Sequence, residues 1–330
     1  MLGRSVPPPA RKVSFFLLAG VKKQARTGLL GFALLVWGAD RFVEGACAAA
    51  RRLGIPSVVV GLTIVAIGTS APELSVSITA ALKGANEIAV GNVIGSNLFN
   101  LLAVVGISAA IAPMEADTSL LRRDLPLSGL AAAVLLAVLT FFNGRIGRPW
   151  GLAFLAALVA YMAVLVREAL SNHTEPDSAE LNTPIWTIPL NLVLGLACIV
   201  LGGDLTIDGA TGIARMFGLS EALIGLTIVA VGTSLPELVT SITAAVKGES
   251  GLALGNAVGS NLFNILLILG ASAAICPIQV SGEILLDAAV LILATALCTL
   301  LIRRRGGVSR GLGTVMALGY AAYMGWLIVR

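Results

Sequence analysis

Apolar residues run along this chain in long blocks that short polar stretches separate. A membrane-spanning helix needs ~20 mostly apolar residues, and tilted or turn-flanked helices manage with somewhat fewer. Ten blocks meet this condition, and they cover residues 28–50, 56–82, 88–112, 125–143, 149–167, 185–210, 220–246, 251–276, 284–302 and 310–329. The pattern therefore predicts an all-α polytopic membrane protein with ten transmembrane helices.

The polar stretches divide these ten blocks into two sets of five. Residues 1–27 contain six basic side chains and three consecutive prolines around an apolar patch that is too short to span, so we predict a basic N-terminal tail. Residues 169–184 are almost free of apolar side chains and are predicted to form a linker. The two five-helix units are then residues 28–168 and residues 185–330.

The two units are copies of each other. A constant shift of 164 residues pairs Gly61–Ile111 with Gly225–Ile275 without a gap, and 34 of the 51 pairs are identical. Polar residues match as well as apolar ones, which shared hydrophobicity alone does not explain, so the chain contains an internal duplication. Because each copy has an odd number of spans, the second must enter the membrane from the opposite side, which predicts an inverted-topology repeat.

The composition agrees with a membrane protein and excludes several other classes. With 57% hydrophobic residues, 12% charged residues and a mean hydropathy of +0.94, the chain is too apolar to cover a soluble globule. The net charge of +4 comes from basic residues scattered at the ends of apolar blocks, as in membrane loops, so we expect no nucleic-acid partner. The four cysteines show no metal-binding spacing and are expected to be small buried residues.

One polar motif lies in the middle of an apolar block in each copy. It reads GTSAPE at residues 68–73 and GTSLPE at residues 232–237. Proline removes a backbone donor, and the adjacent glycine loosens the turn, so we expect the carbonyls of Ala66 and Thr69, and of Ala230 and Thr233, to be free acceptors. Broken backbone at this depth is tolerated only where protein or an aqueous cavity satisfies it.

Each motif also places a glutamate, Glu73 or Glu237, at the centre of a span. A central carboxylate costs ~2.5 to 3.5 kcal/mol, so a compensating interaction is needed. Hydroxyls, carbonyls and two carboxylates form an all-oxygen set, which suits hard cations such as Ca²⁺ and Na⁺. The alternative is that each glutamate is a protonated or hydrogen-bonded packing element, which is less expected for two equivalent positions.

A second motif, GNxxGSNLFN, begins at Gly91 and again at Gly255. It puts Ser96 with Asn100, and Ser260 with Asn264, at positions i and i+4 on one helix face. The asparagines Asn92, Asn97, Asn256 and Asn261 could be ligands or interhelical packing bonds, and the sequence does not separate these roles. The acids Asp40, Glu44, Asp204 and Asp208 are expected to be solvated near helix ends, with Arg41 or water satisfying the first pair.

A duplicated GTSxPE motif followed by GSNxxN resembles the alpha-repeats of the sodium/calcium exchanger family, in its prokaryotic type, within the cation/calcium antiporter superfamily. The resemblance covers the whole ten-span plan. It implies that four spans enclose the ions while the first and sixth slide to expose the site to each side in turn. The implied ligands are Glu73, Glu237, Ser70, Ser234, Ser96, Ser260 and Asn100, with the carbonyls of Ala66, Thr69, Ala230 and Thr233.

The chain departs from the family pattern at Asn264, where some prokaryotic members and the potassium-dependent members have an acid. We include Asn264 in the predicted site, and its amide argues against potassium coupling. The resemblance implies a multi-pass plasma-membrane antiporter that exchanges Ca²⁺ for Na⁺. It implies no cofactor and no enzymatic activity, and the expected partners are the two ions and the lipid bilayer.

Three alternatives remain open from the sequence. A calcium/proton antiporter would use the same glutamates, although the histidine that is usual after the GN motif of that branch is missing here. An ion channel would also place polar residues at mid-membrane. An intramembrane hydrolase is disfavoured because GTSAPE is not a nucleophile elbow and the single histidine, His173, lies in the linker.

Overall fold

The computed structural model describes residues 10–171, 184–219, 228 and 230–329, and within these ranges it is almost entirely helical. The long helices of the first half are α1 (Ala10–Arg52), α2 (Ser57–Thr69), α3 (Ala71–Leu82), α4 (Asn86–Ile111), α5 (Leu120–Phe141) and α6 (Arg148–Ser171). Those of the second half are α7 (Thr187–Met216), α8 (Leu235–Val246), α9 (Ser250–Ile275), α10 (Glu283–Arg305) and α11 (Arg310–Val329), with a short helical turn at Ala230–Gly232.

The first helix differs from the prediction. It begins at Ala10 rather than near residue 28, so much of the predicted basic tail is helical. The apolar patch and the basic residues after it have no proline or glycine pair to stop a helix, and helix α1 therefore continues through them. Residues 1–9, which contain the prolines of the predicted tail, and most of the predicted linker lie outside the described residues.

Among the described residues, seven helices are long and apolar enough to cross a membrane, and the bent pair α2–α3 meets the same condition only when its two helices are taken together. The protein is thus a helical membrane protein that crosses the bilayer several times. Helix α8 is a shorter apolar helix, and much of the block expected before it falls outside the described part of the chain. The predicted number of ten spans therefore stays a prediction.

Helices α2 and α3 follow each other directly and are separated by a sharp bend. They meet at an angle of 49°, and Ser70 between them has a non-helical backbone. Pro72 lies in the first turn of α3, where a missing N–H costs nothing, and Pro236 occupies the same place in α8. Both short helices end before a glycine with positive φ, Gly84 or Gly248. The GTSxPE motif therefore creates a new helix start in each copy, at α3 and at α8.

Two small β-ribbons tie the halves together. Strand β1 (Met114–Glu115), after α4, pairs with β4 (Gly307–Val308), after α10. Strand β2 (Arg145–Ile146), after α5, pairs with β3 (Ile278–Gln279), after α9. The strands β1 and β3 are separated by 164 residues, so they are equivalent in the two copies. They nevertheless belong to ribbons at opposite ends of α5.

Helices α1 and α7 pack against each other along most of their length. The backbones touch directly: a Cβ atom added to Gly38 would lie 2.8 Å from the Gly195 carbonyl oxygen, and one added to Gly202 would lie 2.5 Å from the Leu35 nitrogen. The contacts run in opposite directions along the two helices, so the pair is antiparallel. Small residues allow this approach, and the pair is held by close van der Waals packing.

Candidate cation-binding site

The two glutamates of the repeated motif occupy equivalent positions in the first turns of α3 and α8. Glu73 is the third residue of α3 and Glu237 the third residue of α8. Each side chain is 1% exposed. The N-terminal end of a helix carries a partial positive charge and unpaired N–H groups, which partly offsets the cost of a buried carboxylate. The broken spans thus supply the electrostatic environment that an unbroken helix centre lacks.

Each glutamate is bound by a serine of the other copy. The Ser70 hydroxyl donates to Glu237 Oε1 at 2.9 Å, and the Ser234 hydroxyl donates to Glu73 Oε1 at 2.8 Å. A hydrogen bond to a charged group contributes about 1.5–3 kcal/mol. This reciprocal exchange brings the two acids to one centre between the copies, so they do not face lipid on separate surfaces.

The hydroxyl groups predicted for the site surround this centre. The Ser96 hydroxyl lies 3.2 Å from the Ser234 hydroxyl and donates to it, which brings α4 to the site. Thr69 and Ser260 lie close enough to Glu237 to interact with its charge, and Thr233 stands in the same relation to Glu73. Every predicted side chain in the described set is buried: Glu73, Glu237, Ser70, Ser234, Thr69, Thr233, Ser96, Ser260, Asn100, Asn264 and Ala66.

The backbone carbonyls follow the prediction only in part. The Ala66 carbonyl accepts a hydrogen bond from the Ser70 N–H at 3.1 Å, so it is not the free acceptor that we expected. Proline at position 72 removes its own N–H and leaves the Ser70 donor in place, and the Gly68 carbonyl also accepts a backbone N–H at the end of α2. In the second copy the Ser234 N–H donates to Val231, at 3.2 Å, and Ala230 begins the short helical turn. A carbonyl with one bond keeps a second lone pair for a cation.

Two asparagines whose role was open are interhelical clamps. Asn92 Nδ2 donates to the Glu73 carbonyl at 3.3 Å and to the Ser77 hydroxyl at 2.9 Å. Asn256 makes the matching pair of bonds in the second copy, with the Glu237 carbonyl at 3.4 Å and the Ser241 hydroxyl at 2.9 Å. The serines were not among the predicted site residues. Their position four residues after each glutamate, on the same helix face, was the signal that could have found them.

Asn256 also connects the copies, because the Thr69 hydroxyl donates to its side-chain oxygen at 3.1 Å. The clamp that positions Glu237 in one half is therefore fixed by the motif of the other half. This arrangement makes the two glutamates positionally dependent on each other.

A second cross-connection joins α4 to α9. Asn97 and Asn261 donate to each other's backbone carbonyls at 3.2 Å in both directions, and Asn264 donates to the Asn97 side-chain oxygen at 2.9 Å. Asn97 and Asn261 are thus packing residues between the halves. Asn100 and Asn264 are buried beside them, and the Asn264 side-chain oxygen has no hydrogen-bond partner.

Several buried oxygens of the centre have no hydrogen-bond partner. They are Glu73 Oε2, Glu237 Oε2 and the side-chain oxygens of Asn100 and Asn264. A buried acceptor without a donor is costly, and two buried carboxylates cost more. A cation among these oxygens would satisfy them. The described residues contain no cluster of three or more His, Cys, Asp or Glu side chains.

The acids of the first and sixth predicted spans lie on α1 and α7, not on the helices that carry Glu73 and Glu237. Asp40 and Glu44 are in the interior of α1, not near its end, and they form ion pairs with Arg41 and with Lys247 of the second copy. Asp204 and Asp208 are exposed on α7. The predicted cysteines also fall as expected, since Cys47, Cys198 and Cys298 are buried and Cys276 is half-buried.

Comparison with known proteins identifies the family. A family model described as "sodium/calcium exchanger protein" matches residues 26–167 and 187–329, one block for each copy of the repeat. The chain belongs to the sodium/calcium exchanger family. Members of this family are membrane-spanning antiporters for ions, so the chain is a multi-pass membrane transport protein.

Full-length relatives of this exchanger-family chain include bacterial and archaeal proteins. The chain is 41% identical to the putative antiporter CaxA of Alkalimonas amylolytica over 89% of its own length and 95% of the relative. It is 36% identical to the inner membrane protein YrbG of Escherichia coli, over 91% and 95%. It is 34% identical to the sodium/calcium exchanger MaX1 of Methanosarcina acetivorans, over 90% and 96%.

The fold of this family member is also similar to solved structures of the sodium-calcium exchanger NCX_Mj. One of them, from crystals soaked with Na⁺ and Sr²⁺, aligns with a TM-score of 0.81 and 30% identity, covering 92% of this chain and 98% of the other. The helical membrane fold predicted from the sequence is therefore confirmed at this level.

Proposed function

We propose that this chain exchanges Ca²⁺ for Na⁺ across a membrane by alternating access, with both ions binding at the centre between the copies. The observation that carries the proposal is the reciprocal serine–glutamate pair, Ser70 with Glu237 and Ser234 with Glu73, in which each carboxylate keeps one unpaired oxygen. Two negative charges match one Ca²⁺ or two Na⁺. Names of relatives, such as the sodium/calcium exchanger MaX1, support the same pair of ions.

We further propose that the chain has ten spans in two inverted halves. The β-ribbons support the inversion, because the equivalent strands β1 and β3 lie in ribbons at opposite ends of α5. The second family-model block, residues 187–329, has the same extent as the first and supports five spans in each half. In this arrangement the broken spans put the starts of α3 and α8 near the midplane from opposite directions.

Competition between the two ions explains coupled transport. Ca²⁺ and Na⁺ use overlapping oxygens, so one ion must leave before the other binds. Only states in which the charge of Glu73 and Glu237 is neutralised cross the low-dielectric barrier readily, because a bare pair of carboxylates is costly inside the membrane. These two conditions together give antiport without a protein cofactor.

The test is calcium uptake into proteoliposomes driven by an outward sodium gradient. Glu73→Gln and Glu237→Gln should each reduce radiolabelled calcium uptake to near background, because either variant leaves one carboxylate to balance a divalent ion. Glu115→Gln removes an exposed acid outside the site and should retain wild-type uptake. Undiminished uptake in both site variants would contradict the proposal.

The same preparation separates the counter-ions. Uptake should be supported by a sodium gradient and not by a potassium gradient. A proton gradient that drives calcium uptake equally well without sodium would instead indicate a calcium/proton antiporter that uses the same two glutamates.

A further inference from the structure

The acids on α1 and α7 take no part in the proposed ion binding. Each acid has an equivalent in the other copy of the repeat. The shift of 164 residues pairs Asp40 with Asp204 and Glu44 with Asp208, and it also pairs Lys83 with Lys247. Each lysine follows the last residue of its helix, α3 or α8. The two copies thus contain the same set of one lysine and two acids, on different helices.

In the observed state only one of these sets is closed. Lys247 Nζ lies 2.7 Å from Asp40 Oδ1 and 3.4 Å from Glu44 Oε1, and helix α1 packs against α8 beside this contact. On the other face, no ion pair joins Lys83 to Asp204 or Asp208 within the described chain. A cavity of about 290 Å³ separates α3 from α7 there, and Asp204 is part of its wall.

The burial of equivalent residues shows the same asymmetry. Ser75 is exposed and Val76 is half-buried in the cavity wall. Their equivalents on α8, Val239 and Thr240, are 8% and 0% exposed. The side chains at these equivalent positions differ between the copies, and their exposure follows the packing of the helices, since α8 lies against α1 while α3 faces the cavity. The Asp204 side is open to the cavity, and the Asp40 side is shut.

The two sides cannot close independently, because α1 and α7 are packed backbone against backbone. A Cβ atom at Gly31 would lie 2.6 Å from the Thr206 nitrogen, and one at Gly209 would lie 2.5 Å from the Gly28 nitrogen. Contacts this close leave no room for one helix to slip past the other, so the pair moves as one body. A shift that brings α7 onto α3 therefore takes α1 away from α8.

We infer that Lys247 and Lys83 are alternating counter-ions that hold the α1–α7 pair in its two end positions. Lys247 binds Asp40 and Glu44 when the Asp204 side is open, and Lys83 binds Asp204 and Asp208 when the Asp40 side is open. The inference rests on the proposed alternating-access function. It assigns to six charged residues outside the ion site the role of setting which side of the site is accessible.

The two sets of charged residues differ in net charge. We therefore expect one end position of the α1–α7 pair to be more stable than the other. Arg41 lies beside the first acid pair, 3.0 Å from Glu44 Oε2, so that set contains two acids and two bases. The residue equivalent to Arg41 is Leu205, so the second set contains two acids and one base. The set with balanced charge is closed in the observed state, and we expect this state to predominate when no ion is bound.

The experiment measures which side is open. In a variant with all four cysteines replaced by alanine, a single cysteine is introduced as Ser75→Cys or as Val239→Cys, and its rate of reaction with a polar maleimide is measured on the full chain in detergent without Ca²⁺ or Na⁺. Ser75→Cys should react faster. Adding Lys247→Gln should slow Ser75→Cys and speed Val239→Cys, each by about threefold, the effect of losing a partly exposed ion pair.

Matched variants separate a counter-ion from a purely structural lysine. Lys83→Gln should speed the labelling of Ser75→Cys and slow that of Val239→Cys, or leave the Ser75→Cys rate unchanged. Lys247→Arg keeps the positive charge and should preserve both labelling rates. Size-exclusion profiles check that each variant is folded. The inference is overturned if Lys247→Gln changes neither rate, if it raises both together, or if Lys83→Gln produces the same shift as Lys247→Gln.

The labelling needs no transported ion, so it stands apart from the uptake assay. If the labelling rates change as expected but the protein does not exchange Ca²⁺ for Na⁺, the exchange proposal is rejected. The inference that the two lysines are alternating counter-ions then stands. If sodium drives calcium uptake but Lys247→Gln leaves both labelling rates unchanged, the exchange proposal stands. The inference about the two lysines is then rejected.

Discussion

At the centre of the molecule the two copies of the repeat make nearly equivalent hydrogen bonds. At the flanks their helix packing differs. At the centre, Ser70 binds Glu237 at 2.9 Å and Ser234 binds Glu73 at 2.8 Å, and the clamps made by Asn92 and Asn256 have matching geometry. At the flanks, α1 lies against α8 with a lysine between them, whereas α7 is separated from α3 by a cavity. This contrast fits the proposed mechanism, in which the ion site stays nearly unchanged while the helices beside it move.

This comparison explains where the sequence is repeated most strictly. The residues from GTS to PEL and from GSN to LFN are identical in the two copies except at one site, Ala71 and Leu235. The flanking positions differ more, as with Arg41 and Leu205 or Ser75 and Val239. In the proposed exchange, cations reach the centre from both sides, which needs two equal halves, whereas the proposed moving flank needs only complementary charge and close packing.

The largest effect is expected from a larger side chain between α1 and α7, which would force the two helices apart. Gly202→Leu would place a side chain against the backbone of α1, since even a Cβ atom would lie 2.5 Å from the Leu35 nitrogen. Overpacking costs typically 1–3 kcal/mol, and here the backbone has no side chain that can yield, so about 3 kcal/mol or more is expected. Uptake should be lost together with a fall in melting temperature.

The control for this variant is Gly325→Ala, because a Cβ atom there would have no neighbour within 4 Å. It should retain melting temperature and uptake. A Gly202→Leu protein with wild-type stability and uptake would show that α1 and α7 do not need their close contact.

The next largest effect tests the symmetry of the centre. Ser70→Ala and Ser234→Ala each remove a hydrogen bond to the glutamate of the other copy, and each should weaken calcium binding by about 10-fold or more, from a loss of about 1.5–3 kcal/mol. The concentration of calcium that gives half-maximal uptake measures this change. Effects that differ by more than about 10-fold between the two variants would show that the halves are not equivalent in binding.

A smaller effect is expected at one position where the two halves of the centre differ. Asn264 donates to the Asn97 side chain at 2.9 Å, while no such bond is present at the equivalent Asn100, whose side-chain nitrogen is unpaired. Asn264→Asp would lose that donor and add a third carboxylate, so calcium uptake should become more sensitive to acid, falling as the new group is protonated. Asn100→Asp is the matched variant, and a pH profile of uptake between about 5 and 8 compares the two with wild type.

The smallest effect is expected in the loop before α5. Asp117 lies close to Ser57 and Gly251 at the edge of the first copy, and its equivalent in the second copy is Ser281. Partial burial raises the pKa of Asp117 above its ordinary value, so its charged form is disfavoured in the folded protein. The free energy of unfolding is therefore highest below the ordinary pKa, where the carboxyl is protonated in both states. It falls as pH rises from the ordinary pKa through the raised pKa of Asp117 in the folded protein.

Asp117→Asn should accordingly raise the melting temperature at pH 7 by about 1–2 °C and leave it unchanged near pH 3, where the carboxyl is protonated in both states. Thermal unfolding at the two pH values measures this difference. A decrease at pH 7 would mean that the charged form makes a favourable contact.

The prediction of helix positions succeeded where apolar blocks were long and ended at turns. Helices α4, α6 and α10 fall within a few residues of the predicted blocks at 88–112, 149–167 and 284–302. The prediction failed at α1, because the basic residues after the apolar patch interrupt a hydropathy pattern without interrupting a helix. The Ala66 carbonyl was also wrong as a free acceptor, since a proline removes only its own N–H and leaves the Ser70 donor in place.

The sequence by itself determined the membrane class, the duplication and the residues that make an oxygen-rich centre, because long apolar blocks and polar residues repeated at a fixed spacing are properties of the chain alone. Only the tertiary structure decided that each serine binds the glutamate of the other copy, that Asn92 and Asn256 are clamps, and that Lys247 forms an ion pair with Asp40. These contacts join residues that are 15 to 207 positions apart. Identical sequences in the two copies are in different surroundings, and the relative position of the helices creates that difference.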